Sequence, residues 1–299
     1  MEAINFQQIE IQNIKSDFLK QKEIKLDVLR LDKIHPIISG NKSFKLRYYL
    51  MDARNKKKNT IATFGGAWSN HIVATAFACY TAGLQSIGFI RGDELPNLSH
   101  TLDLARKYGM KLNFVKREDY KNKNTLIEKH KSEDWYWIPE GGFGKLGAMG
   151  ASEIMSAIKH DHYSHIIAAV GSGTMLAGLT QAIHAKQKVI GISCMKGNTS
   201  LSAQVKSLIN NEEQQTLFEI IDEYHFGGFG KHPPNLIDFM NETYRKHTLP
   251  LDIVYTSKTF YGVMDLIQKG FFSKGSQLLV IHSGGLQGNM SLGDKLLTF

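Results

Sequence analysis

From Lys58 onward the chain alternates between two patterns of apolar and polar positions. Short runs rich in β-branched and aromatic residues occur at 60–66, 86–92, 111–116, 135–142, 165–171, 188–195, 251–256 and 277–284, several of them closing on glycine. Each such run predicts a strand. Longer stretches with apolar residues at i, i+3 and i+4 lie between them and predict helices. One spans 97–108, with Leu98, Leu102 and Ala105 on one face and Gly109 as its stop; another spans 70–82. Strands that alternate with helices predict parallel sheets covered on both sides. The unbroken apolar run from Ile166 to Val170 predicts a central strand buried on both faces. Eight or more such units are too many for one compact doubly wound sheet. The expected architecture is therefore α/β with two open, twisted parallel-sheet domains and a ligand cleft between them. A chain of 299 residues accommodates this as two modest domains. There are no internal repeats and no low-complexity segments.

Composition narrows the function. Charged residues at 21% and only 6 prolines exclude a disordered chain. Two cysteines, Cys79 and Cys194, cannot build a disulfide framework or a four-thiolate zinc site, and they fit a reducing cytoplasm. The net charge of +8 (36 basic minus 28 acidic residues) would suit an anionic partner, but the basic residues are spread among acids. The densest run, Lys56 to Lys58, reads as a solvated loop, so no nucleic acid is expected. No window approaches ~18 uninterrupted apolar residues, and the start, residues 1–5, lacks the basic and apolar pattern of a secretory signal. Neither membrane nor export is expected. The cluster His160, Asp161, His162, Tyr163, Ser164, His165 matches no standard zinc spacing, so no metal is expected there. Cys194 reads as a small buried apolar residue rather than a nucleophile. No G-x-S-x-G elbow exists to anchor a hydrolase triad.

The sharpest local feature is the strand at 165–170 running into Gly171, Ser172, Gly173 and Thr174 and then a helix. Such a turn exposes backbone N–H groups at a helix N-terminus, where the dipole favours an anion, and Ser172 and Thr174 add hydroxyls. The natural guest is a phosphate; the bland alternative is a plain strand-to-helix turn. A dinucleotide fingerprint would need its third glycine two places earlier than Gly178 and an acid at the end of the next strand, where there is none. A Walker loop is absent, because Gly144 and Lys145 are followed by Leu146. A small phosphorylated cofactor fits better than a nucleotide.

A second feature is Ser39-Gly40-Asn41-Lys42-Ser43-Phe44-Lys45-Leu46, a turn that opens a helix. A lysine at such a junction is ordinarily just solvated. Lys45, one helical turn on, would lower the Lys42 amine's pKa by like-charge repulsion. A neutral amine is what condensation with an aldehyde needs.

Together with Phe64-Gly65-Gly66-Ala67-Trp68-Ser69-Asn70-His71, Val254-Tyr255-Thr256-Ser257-Lys258 and His282-Ser283-Gly284-Gly285, these segments stand in a familiar order. The sequence resembles the 1-aminocyclopropane-1-carboxylate deaminase / D-cysteine desulfhydrase family of pyridoxal 5'-phosphate enzymes, of the tryptophan-synthase-β fold type (fold type II), over roughly residues 28–290. The resemblance implies a larger cofactor-binding domain of residues 1–44 and 156–299, a smaller domain of 45–155, a homodimer, and a small amino acid as substrate. It implies that Lys42 joins the cofactor covalently and that Gly171, Ser172, Gly173 and Thr174 hold its phosphate. Asn70 would meet its phenolic side and Ser283 its pyridine nitrogen. Ser69 and Asn70 would receive the substrate carboxylate, with Ser69 a proposed acid/base or nucleophile and Tyr255 close by. Trp68 and His71 would complete the substrate pocket. A helix beginning at Asn70 suits a carboxylate, although ordinary N-capping would also explain Ser69.

Three departures from the family pattern bear on the chemistry. The deaminases carry a Glu at the place of Thr256 and a Leu at that of Ser283. A hydroxyl at the ring nitrogen leaves it mostly neutral, which suits β-elimination and matches the desulfhydrase branch. The family's second tyrosine, before a Pro-Asn pair, is missing: ungapped alignment on Pro234-Asn235 puts Lys231 there, and a small slip puts Phe229 there. Trp68 replaces a Gln and reshapes the pocket. The expected activity is a D-cysteine desulfhydrase-like α,β-elimination giving a keto acid, ammonia and sulfide. The alternatives are aminocyclopropane ring opening or another deamination or racemisation. From other classes come a nicotinamide oxidoreductase and a non-catalytic pyridoxal-phosphate carrier.

Overall fold

The computed structural model describes residues 9–94, 96–293 and 296–299; residues 1–5, read above for a leader, lie outside these. Among the described residues the chain runs β1 (Ile11–Ile14), α1 (Asp17–Lys22), β2 (Lys25–Arg30), α2 (Asn41–Asn55), β3 (Thr60–Gly65), α3 (Asn70–Ala82), β4 (Gln85–Arg91), α4 (His100–Lys107), β5 (Met110–Val115), α5 (Lys123–Lys129), β6 (Trp135–Ile138), α6 (Lys145–Ser156), β7 (His165–Val170), α7 (Thr174–Ala182), β8 (Lys188–Ser193), α8 (Leu201–Ser207), β9 (Phe218–Ile221), α9 (Pro234–His247), α10 (Thr256–Gln268) and β10 (Gln277–His282).

The strands form two sheets. A six-stranded sheet has the order β1-β2-β10-β7-β8-β9 and a four-stranded sheet the order β5-β4-β3-β6. All pairs are parallel except β1 with β2. This is the expected two-sheet α/β architecture. The apolar run of β7 lies at the centre of the larger sheet, and its side chains alternate between two cores. Ile167 packs in one cluster with Phe260 and Val280. Ile166 and Ala168 pack in the other with Leu176 and Leu279. Burying each such isoleucine contributes about 1.5–3 kcal/mol, so β7 anchors both layers.

Four differences from the sequence reading have local causes. Strands β1, β2 and β9 lie in segments where the alternation is weak; β9 is a four-residue edge strand with Glu219 exposed. The expected strand 251–256 is not one. The Asp252 carboxylate accepts hydrogen bonds from the backbone N–H groups of Val254, Tyr255 and Thr256 at 2.9, 3.0 and 2.7 Å. Those donors are spent on a local turn and cannot join a ladder. The strand expected to run to 142 stops at Ile138, because Pro139 has no N–H to give. The helix expected at 97 starts at His100, where Ser99 caps it by accepting from Leu102 N at 3.2 Å.

The carboxyl ends of the strands in both sheets bring the motif loops together. The segments after β3, β4 and β6 of the small sheet face those after β7 and β10 of the large one, the usual place for a ligand in open α/β sheets. The start of α2 is clamped onto the end of β10. Gly40 sits at φ +68°, and a Cβ added there would lie 1.8 Å from the Ser283 carbonyl oxygen. Asn41 N donates to the same oxygen at 3.2 Å. Only glycine permits this approach, and it sets Lys42 beside the 283–285 loop. Among the described residues, no helix is long and apolar enough to cross a membrane.

Candidate active site

Two adjoining cavities of about 440 and about 410 Å³ open between the two sheets. The first is lined by Lys42, Gly171, Ser172, Gly173, Ser283 and Tyr255. The second is lined by Lys42, Trp68, Ser69, Asn70, His71 and Tyr255. Residues from five motifs far apart in the chain thus meet in one cleft.

Lys42 lies in the first turn of α2, and its Nζ donates to Asn41 Oδ1 at 2.8 Å. Burial pushes its amine down to about 8, while the Asp252 carboxylate pulls it back up. Desolvation, not the Lys45 charge, therefore makes this amine available, which corrects the sequence reading. The repulsion falls on the other partner: the buried Lys45 amine is held well below its usual value by burial and then by the Lys42 charge. Lys45 Nζ donates to Gly141 O at 2.6 Å. The sign for Lys42 is direct. A lowered pKa means that the amine loses its proton, and gains reactivity, at lower pH than an exposed lysine. Competitive labelling of the cofactor-free protein with acetic anhydride should therefore reach half its plateau at Lys42 near pH 8. Exposed lysines should follow about two pH units higher; coincident curves would refute the assignment.

The 171–174 turn joins β7 to α7; Gly171, Ser172 and Gly173 line the first cavity, whereas Thr174 is fully buried and lines neither. Gly173, at φ +79°, leads into α7, and a Cβ there would meet Val205 at 2.6 Å. Ser172 Oγ and Thr174 Oγ1 lie 3.1 Å apart. Among the described residues, no backbone hydrogen bond is donated by Gly173, Thr174 or Met175. These are the free amides of a helix start. The Tyr255 ring lies over the turn: a Cβ on Gly171 would be 3.2 Å from its Cε1. Burial first, and then nearby negative charge, raises the Tyr255 phenol above its ordinary value, so it stays protonated.

On the other side, Ser69 Oγ caps α3 by accepting from Ile72 N at 3.4 Å, and the same side chain lines the second cavity. The Asn70 Oδ1 atom is buried with no hydrogen-bond partner. His71 is 2% exposed, and its Nε2 meets Thr63 Oγ1 at 2.8 Å. The Thr63 hydroxyl spends its proton on Ile138 O, so His71 Nε2 is the donor. Burial, then Lys42 and Lys45, keep the imidazole's pKa well below its usual value, so this ring is neutral. Trp68 and Phe229, 39% and 56% exposed, put large apolar faces on the cleft.

Of the two residues that could stand at the missing tyrosine's place, Phe229 lines both cavities, with its ring 5.9 Å from that of Tyr255, whereas Lys231 is not among their lining residues. The lining residues that were not anticipated include three charged ones: Arg91 at the end of β4, Glu140 after β6, and Asp252. Asp252, followed four residues later by Thr256, carries a readable local signal, since Asp side chains bond nearby backbone N–H groups. Arg91 and Glu140 carry none. The Cys194 thiol is pushed up to about 12 by burial, which suits the inert reading. Among the described residues, no group of three or more His, Cys, Asp or Glu is placed to hold a metal ion.

A phosphorylated aldehyde fits these residues. Free amides at 173–175 suit its phosphate, the Asn70 oxygen lacks a partner that a bound group would supply, and the Lys42 amine, brought down to about 8, loses its proton more readily than an exposed lysine. Two parallel sheets with such a lysine in the cleft between them define a pyridoxal-phosphate enzyme of fold type II. The family model described as "Pyridoxal-phosphate dependent enzyme" matches residues 14–284, and the chain belongs to that family. It is 31% identical over 291 residues to a Thermotoga maritima protein provisionally named 1-aminocyclopropane-1-carboxylate deaminase, covering 90% of this chain and 91% of that one. It is 28% identical over 279 residues to the Arabidopsis thaliana bifunctional D-cysteine desulfhydrase/1-aminocyclopropane-1-carboxylate deaminase, covering 84% and 70%. A solved structure described as an ACC deaminase homologue superposes with a TM-score of 0.83 at 28% identity, covering 96% and 92%. The cofactor is pyridoxal phosphate, and the nicotinamide reading falls away.

Proposed function

We propose that the protein catalyses α,β-elimination on a small amino acid bearing a leaving group at Cβ, releasing a keto acid, ammonia and, from D-cysteine, sulfide. The observation that carries this reading is the pair of hydroxyls at the positions that distinguish the two branches. Ser283 lines the first cavity, and the Thr256 hydroxyl donates to Asp252 Oδ1 at 2.7 Å. Neither supplies a carboxylate to a ring nitrogen. When bound, pyridoxal phosphate supplies an electron sink for negative charge at the substrate Cα.

The chain's own residues would do the rest. The turn at Gly171, Ser172 and Gly173 would hold the phosphate, and Asn70 would bond the phenolic side. Ser69 and the start of α3 receive the substrate carboxylate. Lys42 Nζ, deprotonated in a fraction of molecules at neutral pH, takes the Cα proton. The Tyr255 phenol, held protonated, donates to the leaving group. The neutral His71 lines the second cavity beside Ser69 and Asn70. The name of the Thermotoga relative supports deamination of 1-aminocyclopropane-1-carboxylate as a second reading, and that of the Arabidopsis relative carries both activities. The four-stranded sheet, β3 to β6, supports 45–155 as the smaller domain. A homodimer in the cytoplasm belongs to the same proposal.

The test is a substrate panel of D- and L-cysteine, β-chloroalanine, serine and aminocyclopropane carboxylate, read as pyruvate or 2-ketobutyrate. Pyruvate from D-cysteine and β-chloroalanine should exceed 2-ketobutyrate from aminocyclopropane carboxylate by about tenfold or more in kcat/KM. A best rate with aminocyclopropane carboxylate would overturn the argument from Thr256 and Ser283. A coloured protein that turns over none of the panel would overturn catalysis altogether.

A further inference from the structure

Lys258 lies in the first turn of α10 and is 0% exposed. Its Nζ donates to two backbone carbonyls, His225 O at 2.9 Å and Gly228 O at 2.7 Å. Both belong to the connection between β9 and α9, some 30 residues earlier in the chain. A buried ammonium is costly unless oxygen atoms replace its water, and here two carbonyls do so. Burial draws its pKa down, and the nearby Asp252 charge supports the ammonium form.

The loop it grips is unusual. Phe226 sits at φ +52°, a left-handed conformation that a bulky residue avoids, and Gly227, Gly228 and Gly230 also have positive φ. Its other hydrogen bonds are local: Gly228 N to His225 O at 3.0 Å, Lys231 N to Gly228 O at 3.1 Å, Gly227 N to His225 Nδ1 at 2.9 Å, and His232 Nδ1 with Gly230 O at 2.8 Å. Two ring contacts also join it to α10, Phe226 on Tyr261 at 4.9 Å and Phe229 on Tyr255 at 5.9 Å. Tyr255 and Lys258 are three residues apart, so they project from the same side of the helix start. One turn of α10 thus places both aromatic walls of the cleft, Tyr255 directly and Phe229 through the loop that Lys258 holds.

We propose that the Lys258 ammonium acts as a built-in cation that ties the 225–230 loop over the cleft, and that Lys258 is thereby a positioning residue for substrate binding through Phe229. The inference rests on the active-site reading above only for the substrate side. The tie itself is a property of the chain. Carbonyl oxygens also bind potassium, so an ion could replace the ammonium if the side chain were cut back.

The experiment compares wild type, Lys258→Met, Lys258→Ala and Phe229→Ala. Hydrogen–deuterium exchange should rise in Lys258→Met for peptides covering 225–231, with the strands of both sheets unchanged. KM for the best amino acid should rise about tenfold in Lys258→Met with kcat changing less than about threefold, a binding rather than a chemical defect. In Lys258→Ala, potassium chloride or ethylammonium chloride should restore both loop protection and KM, while tetramethylammonium should not. Wild type should be indifferent to all three. Phe229→Ala, on an exposed side chain, should raise KM similarly while raising 225–231 exchange less than Lys258→Met does, which keeps the claim testable if the core variants fail to fold. An unchanged loop exchange in Lys258→Met, a defect in Lys258→Ala that neither cation repairs, or an unchanged KM in Phe229→Ala would overturn the proposal. If no amino acid is turned over, the functional reading fails alone, because exchange and cation rescue are read without substrate.

Discussion

Lys42→Ala should lower kcat for every amino acid in the panel by about a thousandfold or more, while leaving the fold intact. The side chain donates to its neighbour Asn41, so its removal frees no distant group. Alanine is also the best helix former for the first turn of α2. What disappears is the amine that burial brings down to about 8. No other amine replaces it: Lys45 Nζ is bound to Gly141 O, and Lys258 Nζ to the 225–230 loop. Lys42→Arg should fail equally, because a guanidinium stays charged. The checks are steady-state kinetics, an unchanged Tm, and loss of the yellow colour that borohydride would otherwise fix at one lysine-containing peptide. Activity within tenfold of wild type in Lys42→Ala would refute the role of this residue.

Asp252→Ala should cost about 3–5 kcal/mol of stability, a fall in Tm on the order of 10 °C. The residue is 1% exposed and accepts four hydrogen bonds, three from backbone N–H groups and one from the Thr256 hydroxyl. Truncation strands all four donors in a water-poor place, where each unsatisfied group is expensive. The same loop carries Tyr255 into the cleft, so activity should fall with stability. The Asp252 charge also raises the Lys42 pKa, so in this variant the Lys42 labelling midpoint should move below that of wild type. Thr256→Ala, which removes one of the four donors, should cost only about 1 kcal/mol. Equal losses in the two variants, measured by denaturant unfolding, would show that the carboxylate is not the organising group.

The candidate site was largely legible before folding. Lys42, Ser69, Asn70, Gly171 to Gly173, Tyr255 and Ser283 each stand in a short segment whose local chemistry can be read, and all line the same cleft. What could not be read was supplied by neighbours from elsewhere in the chain. Arg91 and Glu140 have no local signature and enter the site because β4 and β6 end beside β3 in one sheet. Phe229, rather than Lys231, reaches the cleft because Lys258 and Tyr255 draw its loop onto α10.

The fold divides the same way. Periodicity along the chain determined α3 to the residue, the core strand β7, the parallel two-sheet class and the turn that follows β7, because each depends on side chains and hydrogen bonds within one segment. Tertiary structure alone decided that β2 pairs with β10 across some 250 residues, that 251–256 closes on Asp252 instead of joining a sheet, and that desolvation rather than Lys45 sets the state of the Lys42 amine. Ladder partners and local dielectric are properties of what packs nearby in space, and a one-dimensional pattern does not specify that neighbourhood.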